Sequence, residues 1–275
     1  MAASEMATTG VTSARRPSPI LLAITVAVTL FTLAPMVLSV TAGLINNYSV
    51  GTRSGFTTRW FVEVWSVYGD TVWRSLLLAV ACVAGALVLG VPAAYALARS
   101  RSRWVRAFEE LLTLPVAVPG LATALALILV YGQMRGFRGS FAFILAGHLV
   151  FTLPFMVRTV AAAFARPELA TLEEAARSLG ANFRQRFLGI LVPAVLPSIA
   201  AGSLMVFTLS IGEFNLTWML HTPLTRTLPV GLADSYASMR LEIGSAYTLL
   251  FFGVVLPVLW LLQWIVQILE RRDGN

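Results

Sequence analysis

The reading of this chain turns on PELATLEEAARSLGANFRQRFLGILVP, residues 167–193, a polar, arginine-bearing stretch between two very apolar runs. Thr171 and Glu174 have the spacing of a reciprocal capping box, and Gly180 stands where a left-handed cap would end a short helix, so about two turns that stop abruptly are expected. Leu172, Ala175, Ala176 and Leu179 fall at helical spacing on one side, and the alanines keep that side thin. Glu173, Arg177, Arg184 and Arg186 supply charge around it. Asn182 and Gln185 form a second cap-like pair, restarting a helix that runs through Ile190 and Pro193 into the next apolar run. Such a segment has the shape of a plug for a groove on a partner protein.

Outward from this stretch the chain is built for hydrocarbon. Apolar residues make up 57% of it and charged residues 12%, which excludes an ordinary soluble core. Six runs are long enough, at about 20 residues each, to cross roughly 30 Å of lipid. They are Ile20–Leu44, Val72–Leu97, Leu111–Tyr131, Phe141–Phe164, Ile190–Leu216 and Ile243–Leu269. Pro35, Pro92, Pro115, Pro119, Pro154, Pro197 and Pro257 fall inside these runs, where kinks rather than breaks are expected.

Arginines set the expected orientation. Arg15, Arg16, Arg99, Arg101, Arg103, Arg106, Arg166, Arg177, Arg184, Arg186, Arg271 and Arg272 share one side, and Arg53, Arg59, Arg74, Arg135, Arg138, Arg226 and Arg240 the other. The richer side is cytoplasmic by the positive-inside rule, which puts both termini and the docking loop inside. The expected organisation is a cytoplasmic tail over 1–18, a transmembrane domain over 19–270 with the loop at about 166–193, and a short cytoplasmic tail over 271–275. The net charge of +7 is scattered over membrane flanks without an aromatic-interleaved patch, so it anchors to lipid rather than nucleic acid.

The spacing Glu174-Ala175-Ala176-x3-Gly180-x9-Ile190-x-Val192-Pro193 resembles the EAA loop of binding-protein-dependent ABC importer permeases, with Val192 where the family usually has leucine. The resemblance extends over the spanning pattern from about Val72 to the C-terminus. It implies an all-α, six-span polytopic membrane protein of the type I, MetI-like permease fold, in the bacterial inner membrane. It also implies a second permease subunit, two ABC ATPase subunits and an extracytoplasmic solute-binding protein as partners. The ATPase-coupling residues would be Thr171, Glu173, Glu174, Ala175, Ala176, Leu179, Gly180, Ile190 and Pro193.

Every basic residue is arginine, so no phosphate-binding G-x-x-x-x-G-K-[ST] loop can be written. ATP and its magnesium are expected on the partner ATPase, with no cofactor in this chain. His148 and His221 are the only histidines and Cys82 the only cysteine, so no catalytic or metal-binding constellation and no internal disulfide is expected. A membrane enzyme is thereby disfavoured. An ATPase-independent secondary transporter would show two corresponding halves or a proton relay, and the sequence displays neither.

Candidates for the translocation pathway are the polar groups inside spans: His148, Ser210, Glu213, Asn215 and Thr217, with Ser210, Glu213 and Thr217 spaced to share a helical face. Pro115 and Pro119 mark a loosened segment over 114–121 that resembles one the family places near its path. Arg158 lies near the inner end of its span and is expected to snorkel as an anchor. Residues 212–220 and 225–232 resemble permeases of the polyamine, ferric-iron and phosphonate group, most of all those for 2-aminoethylphosphonate. That resemblance implies Glu213 for the ammonium end and Arg226 or Arg240 for the phosphonate end.

Overall fold

The computed structural model describes residues 18–100, 102–237 and 239–273. The expectations for Arg15, Arg16, Arg101 and the end of the C-terminal tail lie outside the described residues, as do those for the side chains of Arg106, Arg271 and Arg272. Among the described residues the secondary structure is helical, apart from one antiparallel bridge between Ile45 and Phe56.

Four helices are long and apolar enough to cross a membrane alone: α1 Pro19–Ala42, α2 Arg59–Arg99, α6 Phe141–Phe164 and α13 Leu241–Asp273, the last apolar as far as Ile268. Two further helix pairs have the length and apolarity of a span only when taken together across a bend. α3 Arg103–Ala117 and α4 Gly120–Tyr131 meet at 108°, and the helical stretch Phe183–Ala194 meets α10 Leu196–Ile211 at 71°. That stretch comprises α8 Phe183–Arg186, a π-helical turn Phe187–Leu191 and α9 Val192–Ala194. The short helices α5 Arg135–Arg138, α7 Pro167–Ser178, α11 Asn215–Leu220 and α12 Leu228–Ala237 fill the connections.

Two of the seven prolines therefore break their spans instead of kinking them. Val118 takes extended backbone before Pro119, as steric clash with the proline ring demands, and α4 starts afresh behind it. Pro197 sits in the first turn of α10 just past the bend, where its missing N–H costs nothing. The second span also begins thirteen residues before its expected start, at Arg59 rather than Val72. At 41 residues α2 is about 60 Å long, roughly twice the hydrocarbon thickness, so Arg59, Glu63, Asp70 and Arg74 ride on its projecting end. The fifth span stops at Ile211 rather than Leu216 because the helix opens over 212–214.

Close packing holds the centre, since lipid supplies little hydrophobic drive between spans. Small residues on α2 (Ala79, Cys82, Ala86, Gly90 and Ala94) let α6 and α10 approach. Met156 of α6 is wedged between two glycines: an added Cβ would lie 2.8 Å from its Cγ at Gly90 and 2.9 Å from its sulfur at Gly202. Tyr247 of α13 and Leu228 of α12 form a second core with Val64 and Val72 of α2. α1 stands apart, resting on α13, with Gly43 at its end so close to the Ala246 nitrogen that a Cβ would clash at 2.7 Å.

Candidate coupling and translocation sites

The docking helix is longer than expected and starts earlier. Pro167 occupies its first turn with Glu168 beside it, both favourable at a helix N-terminus. Thr171 is therefore not an N-cap; it lies mid-helix and donates to the Pro167 carbonyl, and no capping box forms with Glu174. The end is as expected. Gly180 takes φ 84°, its N–H donates to Arg177 O, and Ala181 N–H donates to Ala176 O, the paired bonds of a Schellman motif. The second pair does close a capping box, with Gln185 N–H on Asn182 Oδ1 and Asn182 N–H on Gln185 Oε1.

Which residues face inward also differs from the expected stripe. Leu169, Glu173 and Ala176, spaced i, i+4, i+7, turn toward the chain's own bundle, whereas Leu172, Glu174, Ala175, Arg177 and Leu179 are exposed. Ala176 is thus a packing residue, and Glu173 is a rivet. Its carboxylate accepts from Tyr95 Oη at 2.6 Å and from Arg99 Nε at 2.8 Å, with Arg186 Nε 3.9 Å away. Arg99 also donates to Phe164 O, at the end of α6. Around this cluster Tyr95 packs against Phe164 and Phe187 at ring distances of 5.7 and 5.2 Å, and Phe183 stacks on Phe187. Burial alone would push the Glu173 carboxyl up; the Tyr95 and Arg99 hydrogen bonds and the two guanidiniums outweigh it and hold it below the ordinary glutamate range. A push on α7 therefore reaches the C-terminal ends of α2 and α6 directly. In sequence, only the spacing of Glu173 from Leu169 and Ala176 could have signalled this; Tyr95 and Arg99 carry no local signal.

Ile190 is half-buried in the π-helical turn, and Pro193 is exposed in the stub of helix before the 71° bend.

At the other end of the molecule the two broken regions meet. Gly120, the first residue of α4, lies so close to the opened segment after α10 that a Cβ there would be 3.3 Å from Asn215 Cβ and 3.6 Å from Glu213 Oε1. Glu213 accepts from the Leu216 and Thr217 amides, both at 2.8 Å, and from Thr217 Oγ1 at 2.9 Å. It starts α11. The expected continuous face through Ser210, Glu213 and Thr217 is replaced by a turn that brings the same residues together through side chains.

His148 links them. Its Nδ1 is 2.8 Å from Ser210 Oγ and its Nε2 is 2.8 Å from Thr217 Oγ1. Because the Thr217 hydroxyl donates to Glu213, Nε2–H must donate to Thr217, which leaves Nδ1 to accept from Ser210. The imidazole is 1% exposed and fully partnered. Thr152 donates to the His148 carbonyl and pairs with Cys82, extending the chain to α2. His148, Ser210 and Thr217 are thus buried braces between α6, α10 and α11, while Pro119 and Asn215 are exposed and Pro115 and Glu213 half-buried beside them. Replacing Glu213 by alanine strips α11 of its acceptor and is expected to cost about 1 kcal/mol, the value of a helix cap. Glu213→Gln should recover most of that in a thermal unfolding measurement.

The arginines expected to attend a phosphonate are engaged elsewhere. Arg226 pairs with Asp234 at 3.6 Å and Arg240 donates to Glu63. Arg138 donates to the carbonyls of Leu220 and Met219, ending α11.

With this geometry in view, the profile of the family "binding-protein-dependent transport system inner membrane component" matches residues 86–272. Similar proteins include the putrescine transport system permease PotI of Escherichia coli, 29% identical over 88% of this chain and 90% of its own length. The putative 2-aminoethylphosphonate permease PhnV of Salmonella typhimurium is 26% identical over 88% and 92%. The molybdenum permease ModB of Mycobacterium tuberculosis is 32% identical over 67% and 80%. Among solved structures, a bacterial alginate ABC importer overlaps at a TM-score of 0.69 with 20% identity, covering 89% of this chain and 94% of the other. The MetNI methionine transporter overlaps at 0.63 with 16% identity, over 78% and 99%.

Proposed function

The chain belongs to the binding-protein-dependent transport system inner membrane component family, as an ABC importer permease subunit, and from that premise we propose that it forms half of the path for a small charged solute. Its partners in this reading are a second permease, ATP-binding subunits that hold ATP and magnesium, and an extracytoplasmic solute-binding protein. Both termini and α7 lie in the cytoplasm, with the transmembrane domain over 19–270.

The observation that carries the reading is the outer face of α7. Leu179 is 89% exposed at the tip of a water-side helix, with Leu172, Glu174 and Arg177 around it, while the opposite face is fastened by Glu173 to α2. An exposed apolar tip ringed by charge, on a rigid mount, fits a groove that moves it as a body. ATP-driven closure of the partner subunits would then switch the permease between inward- and outward-facing states.

As solute we propose 2-aminoethylphosphonate, on the resemblance of residues 212–220 and 225–232 and the likeness to PhnV; a polyamine or ferric iron is the alternative. Purification of the tagged chain in mild detergent should recover ATPase subunits in stoichiometric amount. Their absence would favour an ATPase-independent transporter. For the solute, a deletion strain should fail to grow on 2-aminoethylphosphonate as sole phosphorus source, and normal growth without redundant importers would turn attention to polyamines.

A further inference from the structure

Arg158 is set within the apolar length of the spanning helix α6, six residues and so about 9 Å from its inner end. It is exposed, and no carboxylate or carbonyl partner binds its guanidinium among the described residues. Arg74, Arg99, Arg138, Arg186, Arg226 and Arg240 each hold a carboxylate or a carbonyl oxygen of the chain; of the described arginines that hold none, Arg158 is set apart by its place inside a span rather than at a helix end, in a connection or in a short helix.

The side chain lines a concavity of about 500 Å³ between α3, α6 and α10, whose wall includes Thr113, Pro154, Thr159 and Met205. On the α3 side the wall continues through Val116 and Ala117, the last helical residues before the Pro119 break. An isolated cation at this depth is costly unless it meets water or an anion. The concavity supplies room for both, two hydroxyl-bearing residues, and no carboxylate to neutralise the charge.

Resting on the importer reading above, we propose that Arg158 is a solute-recognition residue for a tetrahedral oxyanion of the phosphonate or molybdate type. The planar guanidinium presents two parallel N–H donors to two oxygens of such an anion, a geometry that an ammonium-only solute cannot use and that repels a polyamine. Thr159 lies one residue along the same wall. Thr113 already donates its hydroxyl hydrogen to the Glu110 carbonyl, so it adds steric shape to the site and no donor. A lipid phosphate offers the same chemistry to a guanidinium that snorkels toward the inner surface, so the test separates the two sources.

The complete complex, with its ATPases, second permease and binding protein, is reconstituted in vesicles and offered molybdate, 2-aminoethylphosphonate or putrescine. The parent carries at least one of the two oxyanions. Arg158→Gln cuts that uptake by about tenfold or more, the loss expected for a charge-assisted hydrogen bond, while assembly and basal ATPase are unchanged. Arg158→Lys keeps a substantial part of it. Since Cys82 is buried, Arg158→Cys supplies an accessible thiol, and a membrane-impermeant anionic thiosulfonate should modify it. Modification only by a lipophilic maleimide assigns the position to lipid and overturns the proposal. Parent-like uptake in Arg158→Gln, or carriage of neither oxyanion by the parent, overturns it equally. Failure of the importer reading is distinct from all of these, because it shows as missing ATPase subunits in the purified parent.

Discussion

Gly180→Pro abolishes ATP-driven uptake while the chain still reaches the membrane in normal amount. The residue sits at φ 84°, and a pyrrolidine ring fixes φ near −65°, so the Schellman turn cannot form. The substitution also deletes the N–H that closes onto Arg177 O. Together these cost about 3 kcal/mol locally and unwind the end of α7 that displays Leu179. Gly180→Ala is the graded control. Nothing lies within 4 Å of an added Cβ, so only the left-handed backbone is penalised, by about 1 kcal/mol, and uptake should fall partially. Vesicle uptake with membrane content measured in parallel checks both variants, and parent-like uptake in Gly180→Pro would show that the α7 cap is dispensable.

The adjacent glutamates Glu173 and Glu174 should fail in opposite ways. Glu173→Ala leaves Arg99 and Arg186 beside an empty space at the helix junction. Losing one partner of such a buried cluster costs about 3 kcal/mol, so the thermal midpoint of the purified complex should drop by several degrees. Glu174→Arg touches no internal partner, so stability should stay within about 0.5 kcal/mol of the parent and the midpoint should barely move, while ATPase recovery in pull-downs collapses. An equal midpoint for both variants would remove Glu173 from its riveting role. The pH dependence has a definite sign. The folded carboxyl of Glu173 titrates below its ordinary value near 4.5, so its contribution is complete at neutral pH and is lost as pH falls through the depressed value.

The contrast shows what sequence could and could not disclose. The six apolar runs were legible because hydrocarbon demands uninterrupted length, and the Gly180 cap because left-handed backbone selects glycine. The start of α7 lies five residues before the expected one, since a capping-box spacing also occurs inside helices and Pro167 was the stronger signal. The breaks at Pro119 and Val195 were not separable from kinks, because a proline's consequence depends on which neighbours replace the lost hydrogen bond. The polar residues inside the apolar runs do come together, but not on the face expected. Periodicity placed Ser210, Glu213 and Thr217 on one stripe, and nothing in it revealed that His148, sixty-two residues before Ser210, would close over them.

That closure also fixes a direction. From Ser210 through His148 and Thr217 to Glu213 every hydrogen points the same way. Turning any one member over would set a hydrogen against a hydrogen on one side and a lone pair against a lone pair on the other, so the row behaves as a single unit. α6, α10 and α11 are therefore keyed to one another by the sense of their hydrogen bonds as well as by the shapes of their side chains.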